Sequence, residues 1–183
     1  MLIAIGAGIV GVIVIMMYNG LIVKKNAVTE AYSGIDVQLK KRYDLIPNLV
    51  ETVKGYMEHE KSVLESLTKL RSQAMQATNT EDIVDLNNQV TSLLGTVKVA
   101  MENYPDLKAS QNFSALQRSL TEMESQLSAS RRFYNSAVTD FNNGIEMFPT
   151  NILAGLMGFR RKKVFQVQED QRENLDVGNV LGR

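Results

Sequence analysis

The amino-acid sequence predicts an all-α membrane protein, in which one N-terminal transmembrane helix leads into an elongated antiparallel helical bundle. Three observations predict it. The opening segment, MLIAIGAGIVGVIVIMMYNGLIV, carries no charged side chain from Met1 to Val23. Beyond it, apolar residues recur at spacings of three and four, the period of helices that bury one face. Proline occurs only 3 times in 183 residues, while Ala, Leu, Glu, Gln and Lys are abundant, a composition that favours helix.

The anchor, residues 1–23, is long enough as a helix to cross a hydrocarbon core of about 30 Å. It does not read as a signal peptide, because no basic side chain precedes the apolar run and bulky Tyr18, Leu21 and Ile22 sit near its end. Lys24 and Lys25 follow it directly, and Lys40, Lys41 and Arg42 come soon after. The positive-inside rule therefore expects a single-pass protein with its N-terminus outside and the bundle in the cytoplasm. Ala4 with Gly8, and Ala7 with Gly11, are small residues four apart that would let two such helices approach closely.

The bundle, residues 24–148, reads as four helical segments. The first continues from the anchor to about residue 43, with Val28, Ala31, Ile35 and Leu39 as its stripe. The turn Asp44-Leu45-Ile46 is expected to reverse the chain, with Pro47 near the start of a second helix that ends near Ala77. Leu49, Val53, Tyr56, Val63, Leu67, Leu70 and Ala74 mark its apolar face, with a gap at Glu60. A turn at TNTED precedes a third helix, marked by Ile83, Leu86, Val90, Leu93, Val97, Ala100 and Tyr104 and ended by Pro105, whose predecessor resists the helical conformation. The fourth, about residues 110–148, carries a seam through Phe113, Leu120, Leu127, Tyr134 and Phe141 that resembles a coiled coil. Ser130, Ala137 and Gly144 narrow this seam, so that another helix can pack closely.

With short connections, the fourth helix should end back near the membrane. There the apolar/basic segment 149–165 follows, with Ile152, Leu153, Leu156, Met157 and Phe159 leading into Arg160, Arg161, Lys162 and Lys163. This pattern suits an element at the surface of an anionic bilayer, against the alternative of a segment folded on the bundle base. Residues 166–183 form a polar tail.

Composition bounds the chemistry. The chain has no cysteine, which removes disulfides, thiolate metal sites and thiol nucleophiles. Its 20 basic and 20 acidic residues balance, so the basic excess of a nucleic-acid binder is missing and no nucleic-acid partner is expected. His59 and Glu60 invite a zinc-protease reading, but the motif needs a second histidine four residues on, and HEKSV places Val63 there. No metal and no cofactor are expected. Glu60 falls in register with the apolar face, and a buried carboxylate must be paired or shift its pKa. Arg71, Arg131 and Arg132 are candidate partners. An interhelical ion pair is favoured there over a ligand site or an acid–base group.

Several long motifs carry a resemblance: YNGLIVKKNAV (18–28), IDVQLKKRYDLIPNLVETVKGYMEHE (35–60), YPDLKAS (104–110), NFSALQRSLTEMES (112–125), SRRFYNSAV (130–138) and FPTNILAGLMGF (148–159). Over about the first 165 residues the chain resembles the LemA family of bacterial membrane proteins, which extends to a magnetosome protein. The resemblance implies a bacterial inner-membrane location, a single N-terminal span and an elongated antiparallel helical domain. It carries over no catalytic residue. His59, Glu60, Arg71, Arg131, Tyr134 and Asn135 are positions shared with the family, and they suit an inter-helix polar network or a ligand site better than a reaction centre.

The expected function is that of a membrane-anchored scaffold or adaptor of the inner membrane. Its partners are the lipid bilayer and other proteins, or further copies of itself. A module binding lipid or a small envelope ligand is the alternative, and an enzyme is the least favoured reading because no paired reacting groups are visible.

Overall fold

The computed structural model describes residues 1–165. The expected polar tail, 166–183, lies outside them. Among the described residues every regular element is helical: α1 (Leu2–Val53), α2 (Lys61–Gln76), α3 (Thr80–Ala100), α4 (Pro105–Ala109), α5 (Gln111–Glu146) and α6 (Thr150–Leu156). Short 3-10 turns at Glu58–Glu60 and Met101–Asn103 join some of them. The chain forms two compact units. One is Ala31–Ser130, and the other joins residues 1–30 to residues 131–165.

In the second of these units, the first part of α1 leaves its apolar side chains uncovered. Ile3, Ile9, Val10, Ile15 and Met16 are exposed, and burial begins only at Leu21. A core helix of a soluble domain would hide such residues, whereas hydrocarbon is a favourable environment for them. With one helix long and apolar enough to span, and almost none of that stretch buried, this is a membrane protein with a single-pass helix among its described residues.

In the unit Ala31–Ser130 the expected turn at Asp44–Ile46 does not form. α1 runs on to Val53 with Pro47 inside it. The reason lies in the stripe and in one hydrogen bond. Leu39, Ile46, Leu49 and Val53 are all buried, so the helical period continues unbroken past the proline. Pro47 has no N–H, which removes the donor that the carbonyl of Tyr43, four residues earlier, would normally receive. Arg71 Nε donates to that carbonyl at 2.8 Å, and its guanidinium lies 3.8 Å from Asp44. A side chain of α2 thus replaces the missing backbone donor of α1.

The reversal comes instead at Lys54–Met57, where the N–H groups of Tyr56 and Met57 both bond the carbonyl of Val53, at 2.9 and 3.0 Å. This later break resets the register of the returning chain. Met57 and Leu64 are buried, while Tyr56, expected on the apolar face, is exposed. α1 and α2 are antiparallel, since a short turn joins Val53 to Lys61 while Arg71 meets Tyr43. α2 returns to α3 through residues 77–79, and the two pack side by side.

Three helices of this unit meet at Arg42. This residue is 4% exposed, and its guanidinium donates to Asn87 Oδ1 at 3.1 Å and to Thr91 Oγ1 at 3.0 Å, both on α3. Its other nitrogen pairs with Glu124 of α5 at 2.8 Å. A planar fork of fixed donors suits this three-way contact in a way a lysine ammonium would not.

In the other unit, the expected close approach is found at Gly144 of α5. A Cβ placed there would come within 2.9 Å of Lys24 Cδ and 3.4 Å of Leu21 Cδ2, so the helices touch where the side chain is absent. Thr150 Oγ1 caps the end of α5, bonding the carbonyls of Gly144 and Met147 at 2.6 and 2.8 Å. α6 then ends at Gly158, whose φ of +70° only glycine adopts without strain. The N–H of Phe159 bonds Ala154 at 3.0 Å and that of Gly158 bonds Gly155 at 3.3 Å, the two bonds of a Schellman ending.

A double-mutant cycle tests the proline–arginine pairing. In the full chain in detergent micelles, Arg71→Met should cost about 1–3 kcal/mol in urea unfolding followed by helical circular dichroism. In a Pro47→Ala background the residue 47 N–H can serve Tyr43, and most of that cost should vanish. Strictly additive effects would show that the two residues do not share the Tyr43 carbonyl.

Candidate functional site

The residues singled out from the sequence occupy both units. In Ala31–Ser130, His59 is exposed on the 3-10 turn before α2, and Glu60 next to it is half-buried. Glu60 accepts a hydrogen bond from the hydroxyl of Tyr104 at 2.7 Å, which ties the start of α2 to the connection before α4. Arg71 serves Tyr43 and Asp44 of α1.

The other three, Arg131, Tyr134 and Asn135, lie on consecutive turns of α5 and meet one segment. Past Gly158 the chain leaves helix and returns along α5. Asn135 makes both amide hydrogen bonds to the backbone of Phe165: its Nδ2 donates to the carbonyl at 3.0 Å, and its Oδ1 accepts from the N–H at 2.7 Å. Asn142 does the same for Lys162, with both distances 2.9 Å. Tyr134 donates its hydroxyl proton to the carbonyl of Lys163 at 3.2 Å.

These two asparagines are seven residues apart on a helix, about 10.5 Å along its axis. Lys162 and Phe165 are three residues apart, and three extended residues span about 10 Å. The two rises match, so the two asparagines of α5 hold the backbone of an extended chain at two points. Phenylalanines close both ends. Phe165 is buried edge-on to Tyr134 with ring centroids 6.2 Å apart, under the guanidinium of Arg131 at 5.3 Å. Phe159 meets Phe141 edge-on at 6.1 Å. Such aromatic and cation–π contacts orient rings as well as burying them.

The basic residues between these ends remain outward. Arg160, Lys162 and Lys163 are exposed, and Arg161, also exposed, pairs with Glu146 at 2.9 Å. Lys24 lies against Gly144, and Lys25 is exposed. Sequence reading missed Asn142 and the Arg42 cluster. Asn142 could have been found as the heptad partner of Asn135. Arg42 stands in the α1 stripe between Leu39 and Ile46, a charge at a core position.

In this arrangement Arg71, Tyr134, Asn135 and Asn142 hold backbone groups of other segments in place. There is no cysteine, and among the described residues no group of three or more metal-ligating side chains converges.

The model of the LemA family matches residues 31–178. Protein LemA of Metamycoplasma hominis is 28% identical over 163 residues, which is 88% of this chain and 74% of that protein. Magnetosome protein MamQ 2 of Paramagnetospirillum magneticum is 23% identical over 178 residues, covering 83% of this chain and 65% of its own length. Magnetosome protein MamQ of Magnetospirillum gryphiswaldense is 20% identical over 177 residues, with 82% and 65% covered. This chain therefore spans just under two thirds of the length of those MamQ proteins.

The Glu60–Tyr104 contact has a signature in titration. The hydrogen bond to Glu60, then burial, then the charge of the carboxylate hold the Tyr104 phenol above its ordinary pKa of 10.0. The folded chain binds that proton more tightly than the unfolded chain. The contact's stability is therefore fully present below about pH 10 and is lost as pH rises through the folded value. Glu60→Gln should bring this phenol back toward the ordinary value. Phenolate absorbance of the full chain, taken as the difference from Tyr104→Phe, reads the shift; an unchanged titration would show that Glu60 does not hold the proton.

Proposed function

This chain belongs to the LemA family, and from that premise we propose that it acts as a membrane-anchored scaffold or adaptor of the bacterial inner membrane rather than as an enzyme. The observation that carries this reading is how its polar groups are used. Arg42, Arg71, Asn135 and Asn142 each bond a backbone group or a neighbouring helix, so they hold elements together and do not converge on an open reacting centre. Meanwhile α5 presents Phe133, 62% exposed, as an apolar side chain for a protein neighbour or a second copy. Lys24 and Lys25 after the span favour a cytoplasmic bundle with the N-terminus outside. The network reading of His59, Glu60, Arg71, Arg131, Tyr134 and Asn135 is supported in one half by the bonds of Glu60 and Arg71, and in the other by those of Tyr134 and Asn135.

A second reading, contact of residues 149–163 with lipid, is favoured by a specific observation. Phe148 and Leu156 are 80% and 81% exposed, and Ile152 and Met157 are exposed beside them. Thr150 sits on Gly144, and Gly144 touches Leu21 and Lys24, so this apolar cluster begins where the span ends. Large apolar side chains at that level suit the interfacial zone of a bilayer.

Each reading has its experiment. A photo-crosslinking residue at Phe133 of the full chain in native membranes should give a discrete, reproducible adduct identified by mass spectrometry, either with another protein or with a second copy. Monomer alone would count against the scaffold. Since the chain contains no tryptophan, Leu156→Trp places a single reporter on α6. In proteoliposomes its fluorescence should be quenched by phosphatidylcholine brominated in the acyl chains. Quenching by aqueous acrylamide alone would remove the lipid reading.

A further inference from the structure

The asparagine pair explains more than how a strap is held. Lys162 is fixed to Asn142, and Asn142 is two residues, about 3 Å along the axis, from Gly144. Gly144 in turn touches Lys24, the first charged residue after the apolar span. The strap runs antiparallel to α5, since Lys162 meets Asn142 and Phe165 meets Asn135. Arg161 pairs with Glu146, on the other side of Gly144 from Asn142. The run Arg160–Lys163 thus brackets the level of Lys24, where lipid headgroups would meet the protein.

Its backbone is tied inward while its side chains stay exposed. A free segment with four adjacent cations would spread them by self-repulsion and lose conformational entropy on binding. This one is held before any ligand arrives, by Asn142 from within the run and by Asn135 and the ring contacts of Phe159 and Phe165 at its borders. The short Schellman turn at Gly158 joins it to α6, whose exposed apolar side chains start at the same level.

We propose that Asn135 and Asn142 are positioning residues that hold Arg160–Lys163 against α5 at the charged end of the span, making this run a preformed docking surface for the headgroups of anionic lipids. This rests on the lipid-contact reading of residues 149–163. Charge selects the ligand: the four exposed cations of the run outnumber Glu146, the carboxylate that pairs with Arg161, and continuity with the span puts them at the level of the bilayer surface. Arg supplies planar paired donors for phosphate oxygens, and Lys supplies point charges.

The test uses the full chain carrying Leu156→Trp, in liposomes of phosphatidylcholine with an equal mole fraction of either brominated phosphatidylcholine or brominated phosphatidylglycerol. Brominated phosphatidylglycerol should quench more strongly, corresponding to a preference of at least about threefold, and added salt should weaken it. Replacing Arg160, Arg161, Lys162 and Lys163 by Ser should reduce the preference to about one. Asn135→Ala with Asn142→Ala should also reduce it, although all four cations remain, while quenching by brominated phosphatidylcholine persists.

The outcomes separate the two claims. No quenching by either brominated lipid overturns the lipid-contact reading itself. Equal quenching by both leaves that reading standing and overturns anionic selection. A preference that survives loss of the four cations also overturns the docking surface. A preference unchanged in the double asparagine variant overturns the positioning role.

Discussion

Much of the unit Ala31–Ser130 depends on one carbonyl. Pro47 leaves the oxygen of Tyr43 without the donor that an α-helix would provide, and Arg71 of α2 supplies one at 2.8 Å. Without that replacement, α1 would carry an unsatisfied group in a partly buried position, at a cost comparable to a lost charged hydrogen bond. With it, the helix runs on to Val53 and keeps Ile46, Leu49 and Val53 buried. The position of the first reversal then fixes which residues of the following helix face inward. The same guanidinium that repairs α1 also pins α2 against it, so helix continuity and helix pairing are one interaction.

Arg42, the residue before Tyr43, acts comparably but by filling space between helices. Burying a guanidinium is costly, and two neutral oxygens plus one carboxylate offset that cost only in a fixed geometry. Such a contact also bears on register, because a slipped α3 would withdraw Asn87 and Thr91 together. The polar interior of this unit is in that sense a set of alignment points for otherwise interchangeable apolar stripes.

In the other unit the governing match is between two rises. Seven residues of helix and three residues of extended chain cover nearly the same distance, and asparagine offers one donor and one acceptor in the spacing of a peptide group. A helix can therefore hold a strand-like segment as a neighbouring strand would, using side-chain amides in place of a backbone edge. The glycine at 158 turns the chain back, and the glycine at 144 lets α1 come close, so two tight places in this unit are occupied by residues without side chains.

Periodicity alone determined the helical class, the uncharged span, the long α5 and the narrow approach at Gly144, because each is a property of spacing along one element. The stripe of α1 also continued through Pro47 in plain view. Proline's local preference nevertheless argued for a turn there, and only a donor from a distant residue overruled it. The partners of Glu60, Arg42 and Asn142 were likewise undetermined by the sequence, since a polar residue in register shows that it turns inward but not whom it meets. Those meetings depend on where helices reverse and in what register they pack. Tertiary structure decided them, because hydrogen bonds between segments far apart in the chain are satisfied only once the whole unit is assembled.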